Sequence, residues 1–170
     1  MSEVRRILGI DPGLNVTGYG VIESRGASVR LLEAGIIRTK RGQTMAQRLL
    51  ELHNGLTEVV EAHHPHVMAL EQLFSHYQRP RTAILMGHAR GVITLVAGQA
   101  EIAVDSFEPT KVKKLMTGNG RAPKHQIQLA VKIQLKLRSI PEPADVADAL
   151  AIAICGHHES RIGINLRNSL

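Results

Sequence analysis

Four carboxylates hold most of the chemistry this sequence can do. Asp11 closes a short apolar run, Ile7-Leu8-Gly9-Ile10, and opens the turn Asp11-Pro12-Gly13. Glu71 closes a second apolar run over 67–70. Asp145 and Asp148 stand three residues apart, so on a helix their side chains share one face. They sit among Val146, Ala147, Ala149, Leu150, Ala151, Ile152, Ala153 and Ile154, and a helix apolar all round belongs in a core. Carboxylates at the buried start of such a helix are costly unless a cation or strong donors compensate them. The helix N-terminus helps by less than about 1 kcal/mol per charge, whereas a divalent metal does far more. Oxygen-only donors without a Cys/His pattern suit Mg²⁺ or Mn²⁺ rather than Zn²⁺.

Each acid taken singly has a plainer reading. Asp11 could simply start a turn, and Glu71 could be a solvated strand end. Asp145 could be a helix N-terminal charge, with Asp148 paired to an arginine. The set argues for more, because acids at the ends of two strands and at the start of a buried helix can converge at one edge of a sheet.

The charge distribution points the same way. The chain has 170 residues, with 21 Lys and Arg against 15 Asp and Glu, a net of +6. Between 111 and 138 there are eight basic residues (Lys111, Lys113, Lys114, Arg121, Lys124, Lys132, Lys136 and Arg138) and no acid. Outside that segment, thirteen basic residues face fifteen acids, so the whole surplus sits in the segment. A solvated helix face usually interleaves both signs, while concentrated positive charge is the footprint of a nucleic-acid binder. An acidic metal site beside a cationic surface is the pairing that phosphodiester cleavage needs, one to stabilise the reacting oxygens and one to hold the backbone.

The elements that must position these residues follow from the apolar pattern. Strands are expected over 5–10, 19–24 and 29–39, joined as an antiparallel meander. A helix is expected over 44–63, with Met45, Leu49, Leu52, Leu56, Val59 and Val60 on one face, then a buried strand over 67–70. A loop over 74–80 leads to a helix over 81–99 with small residues at Gly87, Ala89, Gly91, Ala97 and Gly98. A fifth strand over 102–107 precedes a short basic helix with Pro109 in its first turn. After a flexible Gly118-Asn119-Gly120 loop come helices over 124–137 and 143–158. The order βββαβαβααα is an α/β layout, a mixed five-stranded sheet flanked by helices. We expect one domain over 1–158 and a C-terminal tail over 159–170. Helix 81–99 is the candidate interface between copies of the chain, because it is apolar on more than one face.

The exclusions are short. No run of about 18 apolar residues suggests a membrane span, and Met1 to Arg6 lacks a signal-peptide pattern. The lone thiol, Cys155, excludes an intrachain disulfide framework and reads as a small buried apolar residue of a cytoplasmic protein. His63-His64-Pro65-His66 reads as a surface connection and not a zinc site. His157 and His158 read as the last turn of the final helix. Gly118-Asn119-Gly120 lacks the context of a nucleotide-binding fingerprint.

A resemblance then becomes plain. The run Ile7 to Gly13 with Thr17-Gly18-Tyr19-Gly20 resembles the opening of the RuvC family, the bacterial crossover junction endodeoxyribonucleases. Ile36-Ile37-Arg38-Thr39, Leu70-Glu71-Gln72-Leu73-Phe74 and Ala89-Arg90-Gly91-Val92 continue it, and Lys113, Gly118-Asn119-Gly120, Lys124 and Ala144 to Ala151 complete it. The matches are in order and span about residues 5 to 156. His88, Pro123 and the stretch after Cys155 depart from the family pattern.

The resemblance implies a ribonuclease H-like fold and a homodimer that cuts four-way Holliday junctions with Mg²⁺. Two ions per site are implied, with Mn²⁺ a possible substitute. The family's four acids fall on Asp11, Glu71, Asp145 and Asp148, with Asp11 bridging the metals. The implied products are paired symmetric nicks with 5′-phosphate and 3′-hydroxyl ends. Lys113 and Lys124 fall on the family's DNA-contacting positions, and Phe74 on a loop aromatic that stacks on unpaired bases. Lys111, Lys114, Arg121, Arg79 and Arg81 are further expected DNA contacts. Cooperation with the RuvA and RuvB branch-migration proteins is implied by the family alone. Rival readings are another nuclease of the same fold (YqgF-type or ribonuclease H), a non-catalytic junction-binding module, and an ATPase of the actin and sugar-kinase type. The last needs a second related domain and a phosphate-binding hairpin that a 170-residue chain does not supply.

Overall fold

The computed structural model describes residues 3–72 and 79–167, with side chains followed to residue 160. Three antiparallel strands open the chain, β1 (Val4–Asp11), β2 (Val16–Arg25) and β3 (Ser28–Arg38). Helix α1 (Met45–His63) follows, capped by Thr44 and Gln47, which bond each other's main-chain N–H groups in a reciprocal box. Then come β4 (Val67–Glu71), α2 (Pro80–Gln99), β5 (Ala103–Phe107), α3 (Pro109–Thr117), α4 (Lys124–Gln134) and α5 (Ala144–Arg167). The sheet order is β3-β2-β1-β4-β5, with β4 parallel to both β1 and β5. The expected α/β class and mixed five-stranded sheet are therefore what the chain forms.

The two-residue period of the strands sorts the core into two layers. Leu8, Ile10, Val21, Met68 and Leu70 face α1 and α2, where they meet Leu52, Leu56, Ala89 and Ile93. Ile7, Ile22, Val67, Ala69 and Phe107 face α3, α4 and α5. The central strands β1 and β4 are buried on both faces, which is why their sequences read as unbroken apolar runs.

Several expected boundaries move. Strand β2 starts at Val16 rather than 19, because the Asp11-Pro12-Gly13 turn is closed by Thr17, whose hydroxyl donates to the Gly13 carbonyl at 2.6 Å. Helix α4 stops at Gln134 rather than 137, where Lys136 takes a left-handed φ of 54°. Helix α5 runs on to Arg167, since no proline follows to stop it. His157 is therefore in mid-helix and buried, not in a last turn. The Gly118–Gly120 stretch is an ordered turn. Gly118 caps α3 with φ 78°, and Asn119 Oδ1 accepts from the Arg121 N–H at 2.9 Å. No helix among the described residues is long and apolar enough to cross a membrane.

Candidate active site

A path of glycines sets where the final helix can lie. A Cβ on Gly9 would stand 2.2 Å from the Ala149 carbonyl oxygen, one on Gly20 2.4 Å from Leu150, and one on Gly18 2.1 Å from the Asp145 carbonyl oxygen. Helix α5 thus packs against bare strand backbone, which only glycine allows. Gly18 pairs with Asp11 across β1 and β2, so the contact that seats the start of α5 also brings Asp145 to the end of β1. Asp11 shares the face of Ile7 and Gly9, and Glu71 that of Val67 and Ala69, so both belong to the α5 face of the sheet. Asp148 follows one helical turn after Asp145.

The loop after Asp11 is held from three sides. Thr17 bonds Gly13, Thr39 Oγ1 donates to the Leu14 carbonyl at 2.6 Å, and the Arg48 guanidinium reaches the Leu14 carbonyl and Asn15. Asp11 is therefore presented on fixed backbone.

Electrostatics shows that the four acids form one system. Burial, then Glu71, Asp148 and Asp145, push the Asp11 carboxyl up to about 7, against the pull of Lys124. Glu71 is raised as well, by burial and by Asp148, with Lys113, Lys124 and Arg90 opposing. Carboxylates that raise one another in this way favour a bound cation or proton. They do not close into a preformed cage: among the described residues no three His, Cys, Asp or Glu side chains are gathered tightly enough to hold an ion unaided. An open, all-oxygen arrangement suits Mg²⁺, which keeps several waters and is usually held by one or two carboxylates together with substrate phosphate.

Lys124 supplies a positive charge here, with Nζ 2.8 Å from Asp148 Oδ2. That contact raises the Lys124 ammonium above its ordinary value and keeps it charged. The first turn of α4 thus brings the basic segment against the acids.

The other expected contacts divide. Lys113 reaches the field of Glu71. Lys114 and Arg121 are exposed on α3 and on the turn after it, and Arg79 and Arg81 are exposed at the start of α2. Lys111 is not brought to the acids. Its Nζ lies 2.7 Å from Glu159 and over the Phe107 ring, and Glu159 is about 20 Å along α5 from Asp145. Lys111 stands two residues before Lys113 and leaves that side of the helix, a turn of phase that counting charges does not register. Phe74 lies outside the described residues.

One residue that the sequence reading left without a role lies against the site. Arg90 of α2 donates from Nη1 to the Glu71 main-chain carbonyl and from Nη2 to Ser106 Oγ at 2.9 Å. In the sequence it stands in the run Ala89-Arg90-Gly91-Val92 already noted, beside the buried Ala89, and nothing there names its partner.

Comparison with known proteins fits this geometry. Residues 7–157 match the family model for crossover junction endodeoxyribonuclease RuvC. The chain is 66% identical over 152 residues to a crossover junction endodeoxyribonuclease RuvC of Rhodopirellula baltica, covering 89% of this chain and 85% of the relative. It superposes on T. thermophilus RuvC in complex with a Holliday junction substrate with TM-score 0.89 and 32% identity, covering 94% of this chain and 96% of that one. The yeast mitochondrial Holliday junction resolvase Ydc2, 14% identical with TM-score 0.63 over 88% of this chain and 76% of that one, shares the fold.

Proposed function

This chain belongs to the RuvC family of crossover junction endodeoxyribonucleases, and we propose that it resolves four-way Holliday junctions in recombination and repair at a site built from Asp11, Glu71, Asp145 and Asp148. The observation that carries the assignment of the site is the convergence of these acids, with Asp11 raised to about 7, beside the lysines of an acid-free segment.

The four acids offer only oxygen, with Asp11 central because the charges of the other three all fall on it. They would hold two Mg²⁺ ions, with Mn²⁺ able to substitute. When bound, the metal supplies a water nucleophile at neutral pH and stabilises the attacking and leaving oxygens of an in-line displacement at phosphorus. The chain's own residues do the rest. Asp11 must give up its proton to act as a ligand. Lys124 would release Asp148 Oδ2 if that oxygen served as a metal ligand, and its ammonium would then be free to hold the scissile phosphate. Lys113, beside Glu71, binds the adjoining backbone, and Lys114, Arg121, Arg79 and Arg81 extend the cationic bed along the strands. Lys111, neutralised by Glu159, contributes little. Phe74 stacks on bases opened at the crossover. The expected products are 5′-phosphate and 3′-hydroxyl ends.

Paired nicks on opposed strands require two sites, and α2 offers the surface to join two copies. Its inner face is buried through Ala89, Ile93, Val96 and Ala97. Its outer face carries Ile84 and Leu95, 63% and 54% exposed, with open space at Gly87, Gly91 and Gly98 for close approach. We place the nuclease domain at 1–158 and the C-terminal tail at 159–170, of which 159–167 continue α5, the whole acting in the cytoplasm alongside RuvA and RuvB.

The decisive experiment is incubation with a synthetic mobile four-way junction and Mg²⁺. Symmetric nicks that ligase can seal are expected, with linear duplex and RNA–DNA hybrid left largely uncut. Equal cutting of duplex or hybrid would favour a different nuclease of this fold, and binding without cutting would favour a non-catalytic module.

A further inference from the structure

We infer that Arg90 is a positioning residue, which sets the Glu71 carboxylate by holding the main chain at the end of β4. The inference rests on Glu71 belonging to the proposed acid site. Strand β4 ends at Glu71, paired with Phe107 of β5, and the Gln72 N–H still reaches the Phe107 carbonyl at 2.8 Å. That bond holds the N–H side of the peptide after Glu71, and the orientation of Glu71 then depends on what holds its carbonyl side. Arg90 does so from the side. One arm of its guanidinium donates to the Glu71 carbonyl, and the other reaches Ser106 of β5 at 2.9 Å. The two strand ends are thereby tied to each other and to α2, whose buried face fixes the base of the arginine. A planar fork with two arms can bridge two acceptors at once, which a lysine ammonium on a flexible stem does less well. Asp11 is held comparably by the bonds of Thr17, Thr39 and Arg48 in its loop, so each of the two strand-end acids has its own brace.

Arg90 touches main chain and a hydroxyl, so it acts through Glu71. Three variants test this: Arg90→Met, which keeps the stem and loses the fork, Arg90→Lys, which restores one donor, and Ser106→Ala, which frees one arm. For Arg90→Met we expect the single-turnover cleavage rate to fall about 100-fold, the scale set by a misplacement near 1 Å. Junction affinity measured with Ca²⁺ should stay within about twofold. Mn²⁺ binding without DNA, read by calorimetry, should weaken about tenfold, as losses behind a metal ligand do. Arg90→Lys should regain part of both the rate and the Mn²⁺ affinity, and Ser106→Ala should lie between wild type and Arg90→Met. Wild-type rate and Mn²⁺ affinity in Arg90→Met would overturn the inference. So would parallel losses of melting temperature, junction binding and rate that Arg90→Lys does not relieve. If wild-type protein cuts junctions and Arg90→Met cuts them as well, this inference fails alone. If wild-type protein cuts no junction, the functional reading fails, and the Mn²⁺ arm still decides whether Arg90 sets Glu71.

Discussion

Two groups of acids in this protein meet opposite fates. On the β2–β3 side, Glu23 lies between Arg6 and Arg30, with contacts of 3.3 and 2.7 Å, and Glu33 lies between His63 at 2.6 Å and the Tyr19 hydroxyl at 2.7 Å. Both carboxyls are held below their ordinary range by those partners. At the other group, Asp11 and Glu71 are raised, because they are half-buried against further acids and, among the described residues, the ion pair made by the four carboxylates is that of Lys124 with Asp148. Acids that the fold has partnered contribute to the fold. Acids that the fold buries together without enough compensation cost stability and mark a place where something else binds. The sequence shows acids in both places, but only the structure separates the two kinds.

The largest expected effect breaks the comparison directly. Asp11→Asn should lower junction cleavage in Mg²⁺ by about 1,000-fold, equivalent to about 4 kcal/mol of transition-state stabilisation, while junction binding stays near wild type. Glu33→Gln should leave the cleavage rate unchanged. Gel assays of both variants on one junction decide it. Equal losses in the two, or substantial residual cutting by Asp11→Asn, would erase the distinction.

Next in size are the cations beside the acids. Lys124→Ala and Lys113→Ala should each reduce cleavage or binding about 10-fold or more, and each should flatten the salt dependence of junction affinity by about one unit of slope. Lys111→Ala should change neither, because Glu159 already neutralises it. A full effect at Lys111, measured by the same salt titration, would mean that this ion pair opens on DNA.

Why so much of this was legible lies in which constraints are local. The four acids were visible because each ends an apolar run or begins an apolar helix, and strand parity with the i, i+3 rule places them on shared faces. The sheet was visible because central strands buried on both sides read as unbroken apolar runs. The seating of α5 was not, because it depends on empty space at Gly9, Gly18 and Gly20, and a glycine in a sequence reads first as a turn. Arg90 was passed over because its partner is the main chain of a residue in another element. The fate of Lys111 was hidden because charge counted along a segment carries no angle around the helix. The length of α5 was missed because the apolar run ends at Cys155 and His157-His158 read as a last turn, while the helix goes on.

A smaller effect sharpens the account of the acid group. Asp11 titrates near 7 in the folded protein, and a ligand must shed its proton before it binds metal. Apparent Mg²⁺ affinity should therefore rise about fivefold between pH 6 and 7, about twofold between 7 and 8, and little beyond. A metal titration of cleavage at three pH values measures it. A profile already flat from pH 5 upward would mean that Asp11 is an ordinary carboxylate.

The smallest effect is on stability, and there the two groups should differ in sign. Without divalent metal, Asp11→Asn should raise the melting temperature at pH 8, and Glu33→Gln should lower it slightly. The Asp11 pKa in the folded chain stands above its unfolded value of 3.8. The folded state therefore holds a proton that the unfolded state releases, and stability drains away as pH rises from about 4 to about 7. Above that range the full cost of the buried charge is present, and replacing it with an amide removes the cost. For Glu33 the folded pKa lies below the ordinary value, so its contribution is present at pH 8 and fades only as acid protonates it. The site is exposed, so that loss should stay below about 1 kcal/mol. At pH 4 the gain in Asp11→Asn should be nearly gone. Melting curves at pH 4 and 8 for the two variants read both signs. A destabilised Asp11→Asn at pH 8 would show that the ionised carboxylate is satisfied within the fold, and the contrast between the two groups would then disappear.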